Sequence, residues 1–191
     1  MDPLLIDLPL PLITARLELR SPQAGDGPLL QPAWLESMPA LRQFLGFLPW
    51  VAREPTVESA ELYCRNAQAN ILARKDFSLL AFERETGRLV GGAGLHRPNW
   101  EVPKVEVGYW LRPSAAGRGY ASEAVEALVQ VALLSFSAVR VELITDAANL
   151  ASRRVADRCQ FRLEGILRQE FRAPDGRLCD TCMYARLAAE R

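Results

Sequence analysis

The sequence is short of lysine, histidine, cysteine pairs and long apolar runs, and each shortage narrows what the chain can be. Lysine occurs only at Lys75 and Lys104, so positive charge is carried almost wholly by arginine. Basic and acidic residues balance at 23 each, which leaves none of the positive excess that a nucleic-acid-coating protein needs. A single histidine, His96, excludes any metal centre or catalytic triad built on two imidazoles. No apolar stretch approaches the roughly 20 residues of a membrane span. The four cysteines, at positions 64, 159, 179 and 182 of 191, are too sparse for the disulfide framework of a small secreted domain. Cys179 and Cys182 fall in one predicted strand, where residues three apart face opposite sides. With no second Cys pair, no metal site is expected. The opening Met1 to Leu12 is apolar but carries Asp2, Asp7 and three prolines and lacks the basic start of a secretory signal. A reduced cytoplasmic compartment is the expectation.

What is present suits one compact domain spanning residues 1–191. Apolar residues make up 49% and charged residues 24%, an ordinary globular composition with enough apolar mass for a core. Nine of the thirteen prolines lie in the first 55 residues, so the N-terminal third should consist of short pieces and turns.

Periodicity places the elements. Thr14 to Arg20 alternates and reads as a first strand. Leu29 to Leu48 is helical, with Pro39 suggesting a break into two short helices. Thr56 N-caps a longer helix running to about Lys75. Phe77–Glu83 and Leu89–Leu95 form a hairpin, and His96 to Pro103 reads as a loop holding Trp100. A strand Val105–Leu111, a helix Ala121 to about Ser135 and a strand Arg140–Thr145 follow. Leu150–Cys159 is a short helix. Phe161–Phe171 and Leu178–Arg186 close the chain as a hairpin. In its turn, Ala173-Pro174-Asp175-Gly176-Arg177, proline presets φ and glycine takes a positive φ. The order predicts an α+β fold with a mixed sheet of about seven strands. The central strand–helix–strand unit requires a parallel pair, and helices should cover both faces.

The stretch richest in information is Val105 to Glu123. A β-branched and aromatic strand ends at Arg112-Pro113-Ser114, passes through Ala115, Ala116, Gly117, Arg118 and Gly119, and enters a helix at Tyr120-Ala121-Ser122. The first N–H groups of such a helix point outward unpaired and sit at the positive end of its dipole, a setting that suits a phosphate. Gly-x-Gly before a helix also occurs where nothing binds. Arg112 and Arg118 would add charge or simply face water. No Gly-Lys-Ser/Thr follows, so the turn is not a nucleotide P-loop.

Val-Glu-Val-Gly-Tyr-Trp-Leu (105–111), Ala-Ala-Gly-Arg-Gly-Tyr-Ala-Ser-Glu-Ala (115–124) and Asn149-Leu-Ala-Ser152 through Phe161 together resemble the GCN5-related N-acetyltransferase superfamily, and within it the RimJ/RimL-type branch. The resemblance covers about Thr14 to Leu187. It implies a twisted sheet splayed open between Val105–Leu111 and Arg140–Thr145, with the pantetheine arm of acetyl-CoA in the gap. Backbone groups of Trp110 and Leu111 would pair with that arm. The turn Ala116, Gly117, Arg118, Gly119, Tyr120, Ala121 and Ser122 would hold the pyrophosphate. Ala116 stands where the family pattern has Gln or Arg, which removes one side-chain contact from a site otherwise made of backbone donors. Asn149 would touch the pantetheine arm and Ser152 would lie near the thioester sulfur. As residues alone, they also read as a helix cap and an early helical serine.

The implied reaction sets its own demands. A primary ammonium must lose a proton, an oxyanion needs a donor, and the CoA thiolate must leave. Glu106 is the candidate base, and is equally readable as an exposed strand carboxylate. Ser152 is the candidate acid, with Tyr109 as its rival. His96 would line the acceptor site or serve as a structural loop residue. Trp34, Phe47, Trp50 and Trp100 would form an aromatic acceptor pocket or pack in the core. The acceptor implied is a primary amine, either a protein N-terminus, including a ribosomal one, or a small amine. No metal, nucleic acid or membrane is involved, and homodimers are common in the branch. The competing readings are a small-molecule amine acetyltransferase, a non-catalytic acyl-CoA-binding module and a generic nucleotide-phosphate domain.

Overall fold

The computed structural model describes residues 2–173 and 175–190. Eight strands form one sheet: β1 Leu12–Ile13, β2 Leu17–Arg20, β3 Phe77–Glu83, β4 Leu89–Asn99, β5 Lys104–Leu111, β6 Arg140–Asp146, β7 Arg162–Arg172 and β8 Leu178–Leu187. They lie in the order β1-β2-β3-β4-β5-β6-β8-β7. Among the described residues only β5 and β6 run parallel; every other neighbouring pair is antiparallel.

Alternation along the strands sorts side chains into two cores. Phe77, Leu79 and Ala81 of β3 and Val105 and Val107 of β5 join Val125, Leu128 and Val129 of α4 (Tyr120–Leu134). Leu80 and Phe82 pack with Leu30, Trp34 and Met38 of α1 (Gly27–Leu45), Val51 of α2 (Pro49–Ala52) and Cys64 of α3 (Val57–Leu72). Helices therefore cover both faces. α3 opens as the sequence indicates: Thr56 accepts from the Ser59 N–H and Ser59 accepts from the Thr56 N–H. The last helix, α5 (Leu150–Arg158), follows β6.

Three local expectations change. The first strand is a small hairpin, which raises the strand count from seven to eight. The Thr14 Oγ accepts the Leu17 N–H at 2.8 Å and turns the chain between β1 and β2. α1 does not break at Pro39 but runs through both Pro32 and Pro39. Both prolines and the residues four before them, Pro28 and Leu35, lie on its exposed side, so the carbonyls that lose a partner face solvent. β4 continues to Asn99, so His96 sits in the sheet rather than in a loop. In the closing turn Gly176 has φ +88°, while Pro174 lies outside the described residues. Cys179 and Cys182 are both buried free thiols, and burial raises both above the usual range.

Candidate active site

The site begins where the sheet stops being a sheet. β5 and β6 pair only at Lys104–Arg140, Val105–Val141 and Glu106–Glu142. Both strands then continue, to Leu111 and Asp146, without pairing to each other. The outer edges of the two strands are taken by β4 and β8, so the gap exposes two facing rows of backbone donors and acceptors. Such rows need a partner, and an extended amide-bearing chain supplies one.

The ladder decides which residues face the gap. The Arg112 N–H bonds the Val90 carbonyl of β4 at 2.9 Å, and the Val139 N–H bonds the Pro103 carbonyl at 2.7 Å. Alternation then turns the even-numbered residues of β5 toward β4 and the odd-numbered ones toward β6. The Trp110 N–H and C=O are consequently spent on β4. Tyr109 and Leu111 present the free groups, so the Trp110 backbone, expected to pair with the pantetheine arm, does not face the gap.

At the mouth of the gap the chain makes a single 3-10 turn, Pro113–Ala115, and then the glycine turn. Gly117 and Gly119 have φ of +78° and +83°, a region glycine enters without strain. Gly119 is the N-cap of α4, and no side chain caps that helix, so its first-turn N–H groups remain available. Among the described residues the buried Ser122 hydroxyl finds no hydrogen-bond partner. Ala116 is exposed. Open N–H groups and an orphaned hydroxyl fit a pyrophosphate. The side chains of Arg118 and Tyr120 are otherwise engaged: Arg118 pairs with Glu83 at 3.2 Å, and Tyr120 is buried with its hydroxyl donating to Glu83. What these two residues offer is backbone.

Two anchors hold this turn, and neither is visible in the sequence. The Arg16 side chain donates to the Arg118 carbonyl at 2.8 Å and to Glu123 at 2.7 Å, which neutralises an acid in the first turn of α4. On the other side Glu36 of α1 accepts from the Ser114 N–H at 3.0 Å, from the Ser114 hydroxyl, and from Arg112 at 2.7 Å. The Ser114 hydrogen bonds, aided by Arg112, hold the Glu36 carboxyl at about 2, well below its usual 4.5. A depressed carboxyl stabilises above its unfolded value and loses that contribution as pH falls through its folded value. Glu36→Gln is therefore expected to lower stability at neutral pH. Urea melts of parent and variant should converge as pH drops from about 4.5 toward about 2.

Flanking the gap on the α4 side, Tyr109 and Ser152 bring their hydroxyls to 3.0 Å. Burial pushes the Tyr109 phenol up to about 12, so it carries its proton throughout the physiological range. Asn149 N-caps α5 by accepting the Ser152 N–H at 3.0 Å, which fixes Ser152 and leaves the amide donor of Asn149 to reach outward. Ala121, the second residue of α4, is partly buried.

On the opposite face stand the even-numbered residues of β5: Glu106, Gly108 and Trp110. Glu106, expected as the base, has a carboxylate oxygen engaged by the Arg97 guanidinium. His96 lies directly across from it in register and bonds Asp76 at 2.7 Å. The Trp110 ring lies tilted against Trp50, centroids 6.2 Å apart, and Trp50 in turn stacks on Trp34 and leans on Tyr63. The expected aromatic group thus splits. Trp34 is core, Trp50 faces the site, and Phe47 reaches Phe171. Trp100 lies behind the sheet against Phe77 and Phe136. Among the described residues no group of three His, Cys, Asp or Glu is placed to hold a metal.

A mixed sheet that parts between two parallel strands, with a glycine-turned helix N-terminus at the mouth of the gap, defines an acetyltransferase of the GNAT fold. Comparison with known proteins agrees: an acetyltransferase (GNAT) domain model matches residues 16–162, and the chain belongs to that family. It is 29% identical over 183 residues to the uncharacterized N-acetyltransferase p20 of Bacillus licheniformis, covering 94% of this chain and 97% of that protein. It is 30% identical over 132 residues to the ribosomal-protein-serine acetyltransferase of Escherichia coli (strain K12), covering 69% and 73%. Among solved structures it superposes with a TM-score of 0.84 on RimL, a ribosomal L7/L12 alpha-N-protein acetyltransferase in complex with coenzyme A. That match has 24% identity and covers 94% of this chain and 98% of the other. The microcin C7 self-immunity acetyltransferase MccE, in complex with acetyl-CoA and AMP, gives a TM-score of 0.83 at 18% identity, covering 91% and 93%.

Proposed function

We propose that this acetyl-CoA-dependent N-acetyltransferase acts on primary amines, a protein N-terminus foremost among them, by direct attack in a ternary complex. One observation carries the reading: the gap between β5 and β6 opens to both faces, with the Tyr109–Ser152 hydroxyl pair on one side and His96, Glu106 and Trp110 on the other. Acetyl-CoA can then enter the gap from one face while the acceptor amine approaches its thioester from the other, and no acyl-enzyme is required. The kinship to a ribosomal-protein-serine acetyltransferase supports an N-terminal amine as acceptor.

In this reading the Tyr109 and Leu111 backbone groups align the pantetheine arm, and the N–H groups of residues 117–121, with the Ser122 hydroxyl, hold the pyrophosphate. The Asn149 amide steadies the arm near the thioester. Fixing the thioester beside the amine supplies most of the acceleration. When sulfur leaves, the protonated Tyr109 and Ser152 act as one donor unit. Tyr109→Phe and Ser152→Ala are each expected to lower kcat by roughly 10- to 100-fold. The double variant should be little worse than the weaker single one, and acetyl-CoA affinity should be kept. Steady-state kinetics and calorimetric titration check this.

The reading is tested by a thermal-shift comparison of acetyl-CoA, CoA, ATP and NAD. An acetylation screen then follows, using serine-initiated peptides, tyramine and spermidine as acceptors. Stabilisation by ATP or NAD but not by CoA would sink it, as would acetyl-CoA binding without transfer to any amine.

A further inference from the structure

His96 is not a bystander in the sheet. Its Nδ1 lies 2.7 Å from Asp76 Oδ2. Asp76 is itself fixed by the Ser78 N–H at 3.1 Å and the Ser78 hydroxyl at 2.6 Å. Burial opposes ionisation of Asp76, yet the His96 and Ser78 hydrogen bonds outweigh it and hold the carboxyl below its usual value. A carboxylate only accepts, so Nδ1 carries the hydrogen and Nε2 of the neutral ring is left as an acceptor. No hydrogen bond engages Nε2 among the described residues, and the side chain is 29% exposed.

The ring lies across two paired glycines. A Cβ built on Gly94 would meet its Cε1 at 2.9 Å, and one built on Gly108 would meet its Cδ2 at 2.9 Å and Nε2 at 3.0 Å. Nδ1 therefore faces Asp76, the residue just before β3, and Nε2 reaches over β5 toward the gap. Any side chain at position 108 would bar that reach. Glu106, two residues away, has its charge committed to Arg97.

We propose that His96 Nε2 is the group that takes the proton from the acceptor ammonium, with Asp76 as its positioning residue. This rests on the acetyl-transfer reading above. The ammonium gives one proton to Nε2. The freed nitrogen lone pair forms the C–N bond to the thioester carbon, and the C–S bond breaks with its electron pair remaining on sulfur. The thiolate takes a proton from the Tyr109–Ser152 pair, which is restored by the second proton leaving nitrogen. The imidazolium then returns its proton to water. The sum is ammonium plus acetyl-CoA giving amide, CoA thiol and one proton. The base works on the acceptor face and the acid on the cosubstrate face, with the gap between them.

The test compares His96→Gln and His96→Ala with the parent, using the best acceptor among serine-initiated peptides, tyramine and spermidine. Glutamine can still donate to Asp76 but cannot take a proton, so it keeps the structural bond and removes the chemistry. The expected result is a loss of kcat of about 100-fold in both variants, with acetyl-CoA affinity unchanged and with added imidazole restoring His96→Ala in a saturable manner. Asp76→Asn should lower kcat less, and combined with His96→Ala should add nothing. A His96→Gln enzyme with near-parent kcat, or a His96→Ala loss that imidazole does not repair, overturns the assignment. A parent enzyme that acetylates none of the three amines overturns the functional reading instead, so the two failures are distinguishable.

Discussion

Gly119→Val is expected to weaken acetyl-CoA binding by about 10- to 100-fold while leaving the chain folded. Gly119 sits at φ +83° as the N-cap of α4, and a Cβ there would meet nothing nearer than the Arg16 guanidinium at 3.5 Å. The obstacle is thus conformational rather than spatial. A β-branched residue either accepts left-handed strain of about 1–2 kcal/mol or swings out of that region and rotates the N–H groups of Tyr120 and Ala121 away from the phosphate. A charge-assisted hydrogen bond of that kind contributes about 1.5–3 kcal/mol, which sets the range. Ala116 occupies the position of a lost side-chain contact and is exposed, so Ala116→Ser should leave affinity about unchanged. Calorimetric titration of the two variants with CoA checks the contrast. Equal affinities would mean that the phosphates are held elsewhere.

Gly91→Ala is expected to be the costliest single methyl group near the site. The added Cβ would fall 2.2 Å from the Trp110 carbonyl oxygen and 2.9 Å from the Leu111 Cα. Those are backbone atoms of β5, which cannot turn aside as a side chain can. β4 and β5 must separate at the strand that lines the gap. Overpacking of this kind costs about 3 kcal/mol, which for a chain of this size lowers Tm by about 6–12 °C. Acetyl-CoA affinity should fall with it, because Leu111 presents the backbone groups that face β6. Gly108→Ala offers the contrast. Its Cβ meets only the His96 ring, so the melting temperature should hold while turnover falls. Thermal melts and initial rates on both variants separate a strand displacement from a ring displacement.

The strand, the glycine turn and the helix from Val105 onward were legible because each depends on residues within a few positions. β-branched residues, two glycines free to take positive φ, and apolar residues at helical spacing act locally. The Thr56 cap was legible for the same reason. α1 was not, since a proline reads as a break until burial shows that the carbonyls it frees face water. The extra hairpin at Leu12–Arg20 was missed because two-residue β1 is too short to alternate. Within the site, Ser152 and Asn149 are named only by the family resemblance, since as residues alone they read as an early helical serine and a helix cap. The identity of the gap-facing strand residue was not legible: Trp110 and Tyr109 differ only in which neighbouring strand their backbone addresses.

What the sequence determined by itself is the order of elements, the parallel step across α4, and a glycine turn that leaves the first N–H groups of α4 uncapped. What only the tertiary structure decided is which side chains are free. Asp76 orients His96 across 20 residues of chain, and Glu36 anchors Ser114 across 78. Arg97 occupies Glu106, and Gly108 clears the path of the His96 ring. The reason is physical. A helix or a turn is set by torsions and hydrogen bonds between near neighbours. The availability of a carboxylate or an imidazole depends on what packs against it, and those partners come from distant parts of the chain.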